Sequence, residues 1–269
     1  MRLGNFSFLN CVPVRWGLAY NNAHEKLELT SGTPTSLAAD LLAGRIDIGP
    51  VSLVEYLQNT DSLELLPGGF SISSHGPILS CHLVSKTESA GLDGAIVALS
   101  NGSRTTTLMA QLLLEDLMGV EPIYRSAPQH LSRMLAAADA AVIIGDEALQ
   151  LYDARPDDLQ ILDIGEAWHR WTGLPTVFAV WVVRREVRSD NSGQVSAATE
   201  ILRDAFEQAA AHPESVLDEA CAESALNPIG KISEQTLREY YKTIDYALGE
   251  QQLAAISEFA HRARERFER

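Results

Sequence analysis

Residues 78–85, ILSCHLVS, and residues 176–183, TVFAVWVV, are two apolar, β-branched runs without a Lys, Arg, Asp or Glu. Each has the length and composition of a buried strand. Nothing between them reads as a linker. The two runs are therefore expected to carry the chain out of one lobe near Ser85 and back into it near Phe178. On that reading residues 1–84 and 178–269 form a discontinuous first lobe, and residues 85–177 form an inserted second lobe. Outward from these runs, short β-branched stretches alternate with helical periods. Strands are expected at Arg2–Ser7, Leu27–Thr30, Ile46–Val51, Ala95–Leu99, Pro122–Arg125, Ala141–Ile144 and Gln160–Ile164. Helices are expected at Pro13–Tyr20, Thr35–Ala43, Leu53–Gln58, Thr105–Met118, Leu131–Ala138 and Glu147–Tyr152. This alternation predicts an α/β protein with mostly parallel sheets. After Val183 the pattern is helical only, as in the stripe Ile201, Leu202, Ala205, Phe206, Ala209, and that tail is expected to pack on the first lobe. A ligand is expected in a cleft between the lobes, at the carboxyl ends of strands.

The composition narrows the partner. Among 269 residues, 36 Asp and Glu outnumber 21 Lys and Arg, a formal net charge of −15. Such a balance disfavours nucleic acid, which needs a surplus of cations, and equally an anionic membrane surface. A small anion would have to be held by local dipoles against the overall field. Cys11, Cys81 and Cys221 show no C-x-x-C spacing, so neither a disulfide framework nor a zinc site is expected. The chain opens directly on a structured pattern, MRLGNFSFLN, and contains no long apolar run. A cytoplasmic protein is the expectation.

Glycine-rich nucleotide loops, the G-x-S-x-G elbow and H-E-x-x-H are all missing from the sequence. What stands out is a set of polar residues just after strands, where helices begin. Ser7-Phe8-Leu9-Asn10, Gly32-Thr33-Pro34-Thr35-Ser36 and Ser100-Asn101-Gly102-Ser103-Arg104-Thr105-Thr106 each set hydroxyls or an amide beside the free N–H groups of a helix start. That arrangement binds carboxylates and phosphates. It is also how any helix is capped, and the sequence leaves both roles open. Gly76 and Pro77 precede Ser80, which a cleft-facing strand start would expose; Asp146 follows a buried run as ligand contact or N-cap. Glu55 lies one turn after Ser52, as a base or as a capping partner. Trp168, Trp171 and the turn Thr172-Gly173-Leu174-Pro175 wall a flat pocket or fill a core.

Taken in order, SFLNCVP, DIGPVSLVEY, GPILSC, SRTTT, AAVIIGDEAL and WTGLPTVFAVW resemble the chorismate dehydratases of the futalosine route to menaquinone. The resemblance runs from Phe6 to about Val183. It implies a two-lobed, type II periplasmic-binding-protein-like fold and removal of water from chorismate to give 3-[(1-carboxyvinyl)oxy]benzoate, without metal or organic cofactor. It further implies that Asn10 and Ser80 are the central catalytic residues. Substrate contacts would come from Ser36, Ser52, Gly76, Ser103, Arg104, Thr105, Thr106, Asp146, Thr172 and Gly173. Thr176 and Thr106 depart from the usual residues at their positions, Phe and Ser. Two other readings stay open: the 1,4-dihydroxy-6-naphthoate synthase of the same route, and a non-catalytic binding protein for small anions.

Overall fold

The computed structural model describes residues 1–267, the side chains of residues 89 and 90 excepted. In chain order it begins with β1 (Arg2–Phe6), α1 (Val12–Tyr20), β2 (Glu28–Gly32), α2 (Pro34–Leu42), β3 (Ile48–Ser52), α3 (Leu53–Gln58), β4 (Leu63–Leu65) and β5 (Phe70–Ser74). Then come β6 (Cys81–Ser85), β7 (Ile96–Ser100), α4 (Arg104–Leu112), β8 (Ile123–Ala127), α5 (Leu131–Ala137), β9 (Ala140–Ile144), α6 (Gly145–Ala154), β10 (Gln160–Asp163) and α7 (Ile164–Thr172). The chain finishes with β11 (Thr176–Arg184), α8 (Arg185–Asp190), α9 (Ser192–Ala211), α10 (Pro213–Leu226), α11 (Glu234–Thr243), β12 (Ile244–Ala247) and α12 (Glu250–Phe267).

The strands form two sheets. One has the order β12-β5-β11-β3-β1-β2 with β4 beside β11; the other has the order β10-β6-β9-β7-β8. In the first, β1 runs parallel to β2 and β3. In the second, β7 runs parallel to β8 and β9. These are the strands that helices connect, as parallel pairing requires. The two apolar runs that organise the sequence behave differently. β11 is antiparallel to β3 and β4, and β6 is antiparallel to β9 and β10. Both lie inside their sheets, which is why eight of nine positions in β11 and all five in β6 are buried.

Contacts divide the chain into two compact units. One holds Met1–Ile72, Ala179–Arg238 and Tyr246–Leu248; the other holds Ser73–Phe178, Glu239–Asp245 and the segment from Gly249 onward. The inserted segment expected at residues 85–177 thus begins earlier, at Ser73, because β6 sits between β10 and β9 and belongs to the second sheet. The expected packing of the tail on the first lobe holds for α9 and α10, which lie against α1. It is corrected for α12: Phe259 packs on the Trp168 ring at 5.8 Å, and Arg262 sits 4.0 Å over Trp171. Arg266 adds ion pairs to Glu115 and Asp116 at 2.9 and 2.7 Å. Trp168 is therefore in the core of the second unit, and half-buried Trp171 packs against it and under Arg262.

The first unit closes through a tight α1–α9 contact. A Cβ on Gly17 would lie 2.0 Å from the Ala205 carbonyl oxygen, so only glycine fits. Beyond it, Phe206 stacks on Phe70 at 5.1 Å, meets Trp181 edge-on at 5.6 Å and touches Tyr246 at 5.0 Å. Among the described residues no helix is long and apolar enough to cross a membrane.

Candidate functional site

In the second unit the sheet brings three strand ends together. Cys81, the first residue of β6, is paired in register with Ile144, the last of β9, and β7 ends beside them at Ser100. These are the carboxyl ends of the parallel strands, where open α/β sheets place ligands. The side chain of Gln129 fastens the ends to one another. Its Oε1 accepts from Ser100 Oγ at 2.8 Å and from Ile144 N at 3.0 Å, while its Nε2 donates to the Ile144 carbonyl at 2.8 Å.

Ser80 stands at this junction, fixed from two directions. Its carbonyl accepts from Gly145 N at 2.7 Å, and its hydroxyl accepts from Tyr240 OH at 2.9 Å. Gly145 has φ +66, a conformation that a side chain would strain. Tyr240 is buried, and that burial holds its phenol well above the usual range, so it remains a proton donor. On the adjoining side, α4 begins at Ser103, whose Oγ accepts from Thr106 N at 3.4 Å. Thr106 Oγ1 reaches Ser103 Oγ at 3.3 Å and Cys81 Sγ at 3.6 Å. Thr105 and Thr106 are both buried, and Arg104 between Ser103 and Thr105 is exposed. Burial pushes the Cys81 thiol up to about 12, so at neutral pH it is a packing residue rather than a nucleophile. The cluster therefore offers hydroxyls and the positive end of a nine-residue helix, with room for neither thiolate nor metal chemistry in the groups named. Among the described residues no group of three or more His, Cys, Asp or Glu could hold a metal ion.

The other expected site residues fall into place differently. Asp146 follows Gly145 in the first turn of α6; it is not the N-cap, a position taken by Ile144. Gly76, at φ +101, accepts from Ser74 Oγ at 2.9 Å just upstream of Ser80. Thr172 and Gly173 close α7: Thr172 Oγ1 donates to the Trp168 carbonyl and accepts from Leu174 N, and Gly173 is the left-handed cap at φ +72. The start of α7, capped by Asp163, adjoins Ile78 and Leu79, and Thr172 and Gly173 lie at the opposite end of that nine-residue helix.

Three expected residues belong to the first unit. Ser36 is exposed and sits within the cap of α2, donating to the Thr33 carbonyl at 3.0 Å. Ser52 is buried and caps α3 by accepting from Glu55 N at 3.4 Å. Asn10 lies in a short 3-10 turn, Leu9–Cys11, between β1 and α1. Its carbonyl accepts from Tyr246 OH at 2.6 Å. Its Oδ1 is buried and without a hydrogen-bond partner among the described residues. An Asx turn would spend that oxygen on the local backbone; here it is unspent. Asn5, on β1, is buried with both amide atoms in the same condition. Arg15 stiffens the segment by donating to the carbonyls of Phe6 and Phe8 and pairing with Glu223.

Tyr240, Gln129 and Asn5 gave no signal in the sequence. The first two act from 160 and 29 residues along the chain, and Asn5 hides inside an ordinary strand.

Comparison with known proteins agrees with this architecture. The chain is 29% identical over 250 residues to the chorismate dehydratase of Thermus thermophilus, covering 88% of this chain and 86% of that protein. It is 27% identical over 179 residues to the 1,4-dihydroxy-6-naphtoate synthase of the same organism, covering 66% of this chain and 61% of the other. Among solved structures, the Candida albicans CA3427 gene product, described as having the generic periplasmic binding protein fold, superposes with a TM-score of 0.70 at 11% identity over 98% of this chain and 90% of its own. The fold is thus that of the periplasmic binding proteins. A family model described as menaquinone biosynthesis matches residues 1–265, and the chain belongs to that family.

Proposed function

We propose that this protein is a chorismate dehydratase, removing water from chorismate to give 3-[(1-carboxyvinyl)oxy]benzoate. The observation that carries the reading is family membership over nearly the whole chain, joined to similarity with a named chorismate dehydratase over 88% of it. Similarity to the naphthoate synthase supports a second reading, but spans only 66% of the chain.

The chemistry suits the residues. Chorismate carries two carboxylates, and the buried start of α4 with Ser103, Thr105 and Thr106 is suited to one of them. Elimination breaks the ring C–H bond beside the hydroxyl-bearing carbon; its electron pair forms the new ring double bond, and the hydroxyl leaves as water. Aromaticity supplies the driving force. The departing proton is vinylogous to the ring carboxylate, so donors on that carboxylate stabilise the developing charge. An Asn amide and a Ser hydroxyl donate and accept hydrogen bonds but are not bases at neutral pH. The enolpyruvyl carboxylate of the substrate therefore takes the proton and passes it to the departing hydroxyl, which leaves as water, and Asn10 and Ser80 hold the eliminating geometry. Remaining substrate contacts come from Ser36, Ser52, Gly76, Arg104, Asp146, Thr172 and Gly173.

Purified protein mixed with chorismate should yield an aromatic product lighter by one water. Chorismate recovered intact, while a futalosine-derived substrate is cyclised, would select the second reading. Binding without any turnover would select a non-catalytic receptor.

A further inference from the structure

The residue before Ser80 is in an unusual conformation. Leu79 has φ +64, the left-handed region that branched or bulky side chains avoid. Its N–H donates to Asp163 Oδ2 at 2.7 Å. Ile78 N lies 3.1 and 3.2 Å from the two oxygens of the same carboxylate, and Glu166 N donates to Oδ1 at 3.0 Å. Asp163 ends β10, where it is in register with His82, and caps α7. The imidazole of His82 is buried, 4.0 Å from Asp163 Oδ2, and burial pushes its pKa down. The carboxylate is thus committed chiefly to backbone N–H groups.

We propose that Asp163 is a positioning residue for Ser80: its carboxylate holds the N–H groups of Ile78 and left-handed Leu79 in the turn that delivers the Ser80 hydroxyl to Tyr240. The proposal rests on the assignment of Ser80 to the chorismate reaction. It extends that assignment to a residue 83 positions away that also caps a helix. A cap needs one acceptor for Glu166 N; this carboxylate also takes the two amides that precede Ser80. With its carbonyl on Gly145 N and its hydroxyl on Tyr240, Ser80 is then restrained on both sides.

The test compares wild type, Asp163→Asn, Asp163→Asn with Leu79→Gly, and Leu79→Val. Each is measured for melting temperature, chorismate kinetics and amide exchange at residues 78–80. Asp163→Asn keeps the volume but loses the charge and one acceptor oxygen. Its kcat should fall roughly 10- to 100-fold while KM stays within about threefold, because misplacement of a reacting group is felt mainly in the bound reaction. Exchange at Leu79 should speed up in parallel. Leu79→Gly in that background makes the left-handed turn free of strain, so kcat should return to within about fivefold of wild type even as the melting temperature drops. Leu79→Val, with Asp163 intact, puts a β-branched residue at φ +64 and should lower kcat about tenfold. A folded Asp163→Asn protein with wild-type kcat, or a double variant no faster than the single, would overturn the proposal. Should Asp163→Asn not fold, Leu79→Val decides, and an unchanged kcat there overturns it. Wild-type protein inert toward chorismate would strike the functional reading instead; the positioning claim would then stand or fall on the exchange at Leu79.

Discussion

The starts of α2 and α4 look alike in sequence and differ in the structure. Both helices have nine residues and follow a Ser/Thr-rich loop, and both are capped by the same kind of bond. Thr33 Oγ1 accepts from Ser36 N at 3.3 Å, and Ser103 Oγ accepts from Thr106 N at 3.4 Å. At α2 the hydroxyls are exposed and satisfy one another, Thr33 Oγ1 reaching Ser36 Oγ at 3.2 Å and Ser36 Oγ the Thr33 carbonyl. At α4 the second row of hydroxyls, Thr105 and Thr106, is fully buried, and Thr106 reaches across to β6 at Cys81. The lesson is that a cap residue says where a helix begins. Burial of the hydroxyls beyond the cap, against a neighbouring strand end, is what makes the α4 start the proposed carboxylate site.

The largest effect should come from breaking the α4 start. Ser103→Ala with Thr105→Ala removes the two hydroxyls proposed to hold a substrate carboxylate, worth roughly 1.5–3 kcal/mol each, and should raise KM by about a hundredfold or more. Because that carboxylate is charged in both ground and transition states, kcat should change much less. Steady-state kinetics on chorismate checks both numbers. Tyr240→Phe leaves the α4 start intact and removes only the donor to Ser80; kcat should fall about tenfold with KM nearly constant. Smaller still is the third helix start. Glu55 shares a cap with Ser52, and Glu55→Gln should leave kcat within about threefold of wild type, since no protein base is required. Thr33→Ala closes the series: about 1 kcal/mol of stability lost in denaturant unfolding, and kinetics unchanged.

The sequence anticipated strands and helices where one periodicity runs uninterrupted. The helix expected at Leu53–Gln58 is α3 itself, and TVFAVWVV lies within β11. It misled where a long-range partner decides the backbone. ILSCHLVS reads as one strand, yet only Cys81–Ser85 is extended, because Asp163 holds Ile78 and Leu79 out of line from 84 and more residues away. FSISS at Phe70–Ser74, outside the expected strands although its apolar and polar residues alternate, becomes β5, its Ser71 and Ser73 hydroxyls donating to the Ala247 and Asp245 carbonyls. The helix α7 was hidden because its start overlaps the apolar end of the strand before it. In the candidate site, the residues that follow strands were legible from their loops. The groups that hold them, Tyr240, Gln129 and Asp163, were not, since nothing local marks a side chain whose task lies in another element.

In the proposed reaction this chain removes the ring proton and the ring hydroxyl of chorismate and leaves the enolpyruvyl ether in place. The most direct measurement is a single turnover of chorismate carrying deuterium at the ring carbon that bears the ether, followed by mass spectrometry. The expected product is 3-[(1-carboxyvinyl)oxy]benzoate free of that deuterium, formed more slowly than from unlabelled substrate. Product that retains the deuterium, or chorismate left unconverted by folded protein, would contradict it.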